Sequence, residues 1–134
     1  MLRTPVLVED IALTFHALGR LPETFIKWFL DELKPSGLIN ILNTYEDRSA
    51  TVEIMYTLFD GRDYHQFYGQ NVGSIAHEIR GSNGFGFDVI FIPNGYTETF
   101  AQMSPEEKNK ISRRAKALKN LEEFLSKINQ LSRR

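Results

Sequence analysis

The chain has no cysteine among its 134 residues, which excludes disulfides and any thiolate-held metal or redox centre. It has almost no net charge. With 16 Lys and Arg against 17 Asp and Glu, the balance of −1 supplies no global field to attract nucleic acid, a membrane surface or an acidic partner. No apolar run approaches the roughly 18–20 residues of a membrane span, and Met1-Leu2-Arg3-Thr4-Pro5 lacks the apolar core of a secretory signal. The three histidines, His16, His65 and His77, have no ligand spacing to one another. There is no glycine-rich phosphate loop, no Cys–His pair and no Ser–His–Asp arrangement. The class left is a soluble, cytoplasmic domain with no nucleic-acid or membrane partner.

What is present can build a core. The hydrophobic share of 42% and charged share of 25% suit one globular unit, and without repeats or linkers the reading is a single domain over 1–134. Pro5-Val6-Leu7-Val8 reads as a short buried strand delivering Glu9 and Asp10 at its C-terminal end. A helix is expected from about Ile11 to Leu18, closed by Gly19. A second is expected from Pro22, with Ile26, Phe29, Leu30 and Leu33 on its apolar face, Lys27 off it, and Pro35 as its stop. Leu38 to Leu42 suggests a short helix after that. Thr51 to Phe59 is rich in β-branched and aromatic residues and ends at the turn Asp60-Gly61. Tyr64 to Arg80 reads as further strand, with Gly69 and Gly73 marking bulges or close backbone approach. Gly81-Ser82-Asn83-Gly84 reads as a turn, and a strand is expected from about Asp88 to Ile92.

The last segment has the clearest local signal. Ser104-Pro105-Glu106-Glu107 combines a capping box with proline at the first helical position. Ile111, Ala115, Leu118, Leu121, Leu125, Ile128 and Leu131 then recur every three or four residues, the pattern of one amphipathic helix. Lys110, Arg113, Lys116 and Lys127 fall on the opposite side, ordinarily a solvated face.

Four features could carry chemistry. Glu9-Asp10 offers oxygen ligands for a hard cation or a general base, although such pairs are more often solvated turn residues. Phe85-Gly86-Phe87-Asp88 couples close backbone approach with aromatic faces and an acceptor; the competing reading makes both rings core. Lys108-Asn109 and Ser112-Arg113-Arg114, at the start of the last helix, suit a phosphate chain. Lys27 is a lone lysine on an aromatic-rich helix, a position usually at the surface.

Taken in order, these residues resemble the inosine triphosphate pyrophosphatase family. The likeness rests on Val8-Glu9-Asp10, Ala17-Leu18-Gly19-Arg20-Leu21-Pro22, Ile26-Lys27-Trp28-Phe29 and Gly84-Phe85-Gly86-Phe87-Asp88. It continues through Phe91-Ile92-Pro93 with Gly95-Tyr96, Thr99-Phe100-Ala101-Gln102-Met103, and Glu107-Lys108-Asn109 before Ser112. The resemblance implies an α/β fold, a mixed sheet flanked by helices in two lobes with a nucleotide cleft between. It implies hydrolysis of inosine, deoxyinosine and xanthosine triphosphates to monophosphate and pyrophosphate with Mg2+, and a homodimer or higher homo-oligomer. Asp10 matches the family's proton acceptor and metal ligand; Glu9 is a metal candidate on its own chemistry, as the other acid of the pair. Phe85, Gly86, Phe87 and Asp88 match the segment that holds the purine. Lys27 and Lys108 match substrate-contacting lysines, and Arg114 the arginine of a Ser-His-Arg triplet.

The chain departs from the family pattern in four places. The family usually begins a few dozen residues earlier, with a strand and a phosphate-cradling loop that this sequence, starting at Met1, is expected to lack. Ile11 stands where a Ser or Thr usually follows the acid, Glu23 where a glycine usually follows Pro22, and Arg113 where the triplet has histidine. Arg113 supplies charge but cannot exchange protons near neutrality. An alternative reading is therefore a non-catalytic relative that binds purine nucleotide or serves as an oligomeric interaction module.

Overall fold

A computed structural model describes residues 6–132, with side chains described to residue 128. Pro5 and the side chain of Leu131 lie outside the described residues. Strands β1 (Val6–Phe15), β2 (Pro22–Glu23), β3 (Ser49–Phe59), β4 (Tyr64–Ile75) and β5 (Phe91–Pro93) form one sheet in the order β2-β1-β3-β4-β5. Every pairing among the described residues is antiparallel. Helices α1 (Ile26–Leu42), α2 (Pro105–Ile111) and α3 (Arg113–Ser132) complete the α/β architecture.

The β3–β4 hairpin is the spine. Its β-branched and aromatic residues alternate in burial along β3, as expected for a sheet covered on one face. The covered face carries Ala50, Val52, Ile54, Tyr56 and Leu58. Near the Ser49 end, Ala50 and Val52, with Leu13, Phe15 and Ile75, pack under α1 residues Ile26, Leu38, Ile39 and Leu42. Near the other end, Ile54 and Tyr56 pack under Ala117 of α3, and Ile11 touches both clusters.

The turn joining β3 to β4 is held by Asp60, whose carboxylate accepts from Arg62 N at 2.9 Å and Asp63 N at 2.8 Å. His65, resting on Phe124 of α3, lies 2.9 Å from the other carboxylate oxygen. The Asp63 backbone bond, then His65 and the Arg62 backbone bond, hold the Asp60 pKa down at about 2. An unfolded-chain value near about 3.9 lies above that, so this carboxylate favours the fold above roughly pH 4 and loses that contribution as pH falls towards about 2. The melting-temperature gap between the protein and Asp60→Asn is therefore expected to close on acidification; a constant gap would refute this.

Several expectations are corrected. Glu9 and Asp10 lie within β1 and not at a strand end, because β1 pairs with β3 from Val6↔Phe59 to Phe15↔Ala50. The helix expected over Ile11–Leu18 is strand as far as Phe15, followed by a 3-10 turn at His16–Leu18. Val6, Leu7 and Val8 are exposed and not buried. Pro22 belongs to β2, and the helix begins at Ile26. Lys34, at φ 61°, breaks α1 before Pro35, after which the segment carrying Leu38 and Leu42 continues. β4 stops at Ile75 and not near Arg80, and Gly86–Val89 is a 3-10 turn ahead of β5. Glu23, where the related family has glycine, takes a left-handed φ of 52° that costs a side-chain-bearing residue about 1–2 kcal/mol.

Candidate nucleotide site

The carboxylate strand, the Phe-Gly-Phe-Asp turn and the start of the final helical segment meet at one place. Ser104 caps α2, accepting from Glu107 N at 3.2 Å, and Pro105 occupies the first turn. That orientation lets Lys108 donate to Asp88 Oδ2 at 2.6 Å. Asp88, 2% exposed, also accepts from Phe85 N at 3.2 Å, which folds the turn back on itself. A side chain at Gly84 would collide with this carboxylate, so glycine is required there.

The two aromatic rings have separate fates. Phe85 projects outward, 64% exposed, with Lys108 Nζ and Arg114 Cζ each 5.4 Å from its ring centre. Phe87 is buried beneath the Arg113 guanidinium, whose Cζ lies 5.4 Å from its ring. The open ring is free to stack on a planar ligand, a contact worth about 1–3 kcal/mol; the closed one is core.

Arg113 is the clearest correction to the sequence pattern. Its charge was expected on the solvated face, yet the residue is 5% exposed. Its Nε has no hydrogen-bond partner among the described residues. Burial pulls the guanidinium pKa below its usual value, Asp88 opposes this, and the neighbouring Arg114 adds to the lowering. Arg114 instead donates to Glu9 Oε1 at 2.7 Å, tying α3 to β1.

Two hollows adjoin here and share Phe85 and Arg113 as lining residues. The smaller, about 260 Å³, lies against Lys108, Asn109, Ser112 and Arg114. The larger, about 380 Å³, lies between Glu9 and Asp10 of β1 and Lys27 and Asp31 of α1. Gly86 and Phe87 line it as well. Every site residue expected from the sequence is therefore at this place, with Asp88 buried behind the turn. Asp31 was missed, although it stands one helical turn from Lys27. Asn71 was missed as well; an asparagine, unfavoured in strands, set between Gly69 and Gly73 was the available signal. A third hollow of about 440 Å³, beside Lys110, Lys116 and Tyr96, has no carboxylate in its lining.

Comparison with known proteins gives the family and the fold. The Ham1 family profile matches residues 1–124. The chain is 49% identical over 128 residues to the inosine triphosphate pyrophosphatase of Yarrowia lipolytica, covering 94% of this chain and 68% of that protein. It is 47% identical over 118 residues to inosine triphosphate pyrophosphatase 1 of Trypanosoma cruzi, covering 87% of this chain and 60% of that one. The Ham1 protein structure from Staphylococcus aureus superposes with a TM-score of 0.85 at 31% identity, over 93% of this chain and 68% of that one. A Ham1 protein structure from Coxiella burnetii gives 0.83 at 32% identity, over 92% and 68%. An α/β fold with carboxylates, an open aromatic ring and cations at paired hollows defines a class, a nucleotide-hydrolase-like domain. This chain belongs to the Ham1 family.

Proposed function

We propose that the chain, acting as one unit, hydrolyses inosine, deoxyinosine and xanthosine triphosphates to monophosphate and pyrophosphate, clearing non-canonical purines from the nucleotide pool. The observation that carries the reading is the pair of adjoining hollows, one suited to a base and the other to a phosphate chain. Its setting in this proposal is the cytoplasm, with no nucleic-acid or membrane partner.

In the smaller hollow, the face of Phe85 stacks on the purine, while Lys108, Ser112, Arg113 and Arg114 offer donors to a 6-keto oxygen. An adenine amino group cannot accept those bonds, which leaves the donors unsatisfied. In the larger hollow, Lys27 neutralises phosphate charge. Asp10 takes a proton from water as the water oxygen attacks the α-phosphorus. The bond from that phosphorus to the bridging oxygen breaks, and pyrophosphate leaves.

The residues also fit a divalent metal. The Asp10 carboxylate has no hydrogen-bond partner among the described residues and is a hard oxygen donor, whereas the Glu9 carboxylate accepts from Arg114. Mg2+ is commonly held by one or two carboxylates together with substrate phosphates and water. Asp10 would hold it together with substrate phosphates and water, and the bound ion would supply charge stabilisation at the phosphates; Glu9, on the opposite face of β1 and tied to Arg114, would not. The test is pyrophosphate release with Mg2+. Inosine triphosphate is expected to be preferred over ATP by on the order of 10²-fold or more. Binding of inosine monophosphate without any release would favour the non-catalytic alternative.

A homodimer is part of this proposal. Among the described residues the outer edge of β1 is paired only at Leu13 and Thr14, and Val6, Leu7 and Val8 beside it are exposed. Such an edge is a template for another strand. Light scattering is expected to give twice the 15.5 kDa chain mass, and Leu7→Lys to give a monomer. A wild-type monomer would overturn this.

A further inference from the structure

We infer that Asn71, on β4 and outside both hollows, is the positioning residue that aims Lys108, Arg113 and Arg114 at the purine; the inference rests on the functional reading above. The apolar spacing from Ile111 to Ile128 would allow one continuous helix, yet Ser112 is extended at φ −70°, ψ 147°. In a continuous helix, Arg113 N would donate to Asn109 O and Ala115 N to Ile111 O. Instead, Arg113 N donates to Asn71 Oδ1 at 2.6 Å, and Asn71 Nδ2 donates to Ile111 O at 2.8 Å. Ala115 N turns to Ser112 Oγ at 3.2 Å.

One carboxamide thus replaces both backbone partners across the break. A carbonyl can only accept and an N–H only donate, so these neighbours also fix which way the amide faces. Asn71 is 8% exposed, and it lines the third hollow together with Ile111. Two residues earlier on the same face, a side chain at Gly69 would collide with the Arg113 carbonyl. Gly69 and Asn71 together make a seat for the junction.

The break matters because of helical geometry. At about 100° per residue, Arg113 and Arg114 on an unbroken helix would point roughly 140° and 120° away from Lys108. They could not all reach Phe85 and Phe87. Here Lys108 and Arg114 both lie against Phe85, with Arg113 over Phe87. Selectivity for the base therefore depends on a strand residue that does not line either hollow.

The test compares kcat/KM for inosine triphosphate and ATP in Asn71→Ala, in the isosteric Asn71→Asp, which lacks the donor, and in Gly69→Ala. A core variant, Val52→Ala, serves as control. A loss of folded protein scales both substrates equally and leaves their ratio unchanged. Misplaced donors lower the inosine triphosphate value selectively. The junction variants are expected to narrow the ratio at least tenfold, with KM for inosine triphosphate rising more than kcat falls, while Val52→Ala keeps it. A wild-type ratio in the folded junction variants would overturn the inference. An inert wild type would instead overturn the functional reading itself, and the positioning role with it.

Discussion

Asp10→Asn is expected to lower kcat for inosine triphosphate by about 10²–10⁴-fold, the usual share of a positioned general base. The amide has the shape of the carboxylate but cannot take the proton from water, and it is a poorer ligand for a hard cation. Asp10 is exposed on β1 and lines the larger hollow, with no hydrogen-bond partner recorded among the described residues. The fold should therefore tolerate the change, with an unaltered melting temperature. Affinity for inosine monophosphate should change little, because the donors around the smaller hollow come from α2 and α3. Release kinetics and calorimetry on the same samples check all three points. Unchanged turnover in the variant would remove Asp10 from the chemistry and require another base.

Arg113→Met is expected to separate stability from binding. The guanidinium is buried, stacked on Phe87 and Phe100, and has no ion-pair partner among the described residues. Removing an unpaired buried charge while keeping an apolar stem of similar length relieves its desolvation cost without stranding a partner. The ligand loses a charged donor, whose bonds are worth about 1.5–3 kcal/mol each, or roughly 10–150-fold in affinity. The melting temperature should hold or rise while inosine monophosphate binding weakens. The opposite pattern, a destabilised variant that binds normally, would show that Arg113 supports the fold and not the site.

The same residue shows why part of the site was legible beforehand and part was not. Arg113 was identifiable as a candidate because it follows Ser112 in a recognisable run, but its position on a regular helix pointed to solvent. The break at Ser112 accompanies its inward turn, and Asn71, about 40 residues earlier in the chain, bonds both sides of that break. β1 is a second instance. Ile11, Leu13 and Phe15 alternate with period two, but so short a run is ambiguous against a helix, and its ten-residue register with β3 decides the matter. The Ser104-Pro105 cap and the Asp60-Gly61 turn were readable because each is settled by neighbours within a few residues.

By itself, the sequence determined the local pieces: the β3–β4 hairpin, the capped start of α2, the glycines around Phe85, and the order of motifs that marks the family. The tertiary structure alone decided which of two phenylalanines is exposed, where β1 ends and that a guanidinium is buried between two hollows. Hydrogen bonds within a turn or cap depend on neighbours along the chain. Burial and strand register depend on contacts between distant segments, and these exist only once the chain has packed.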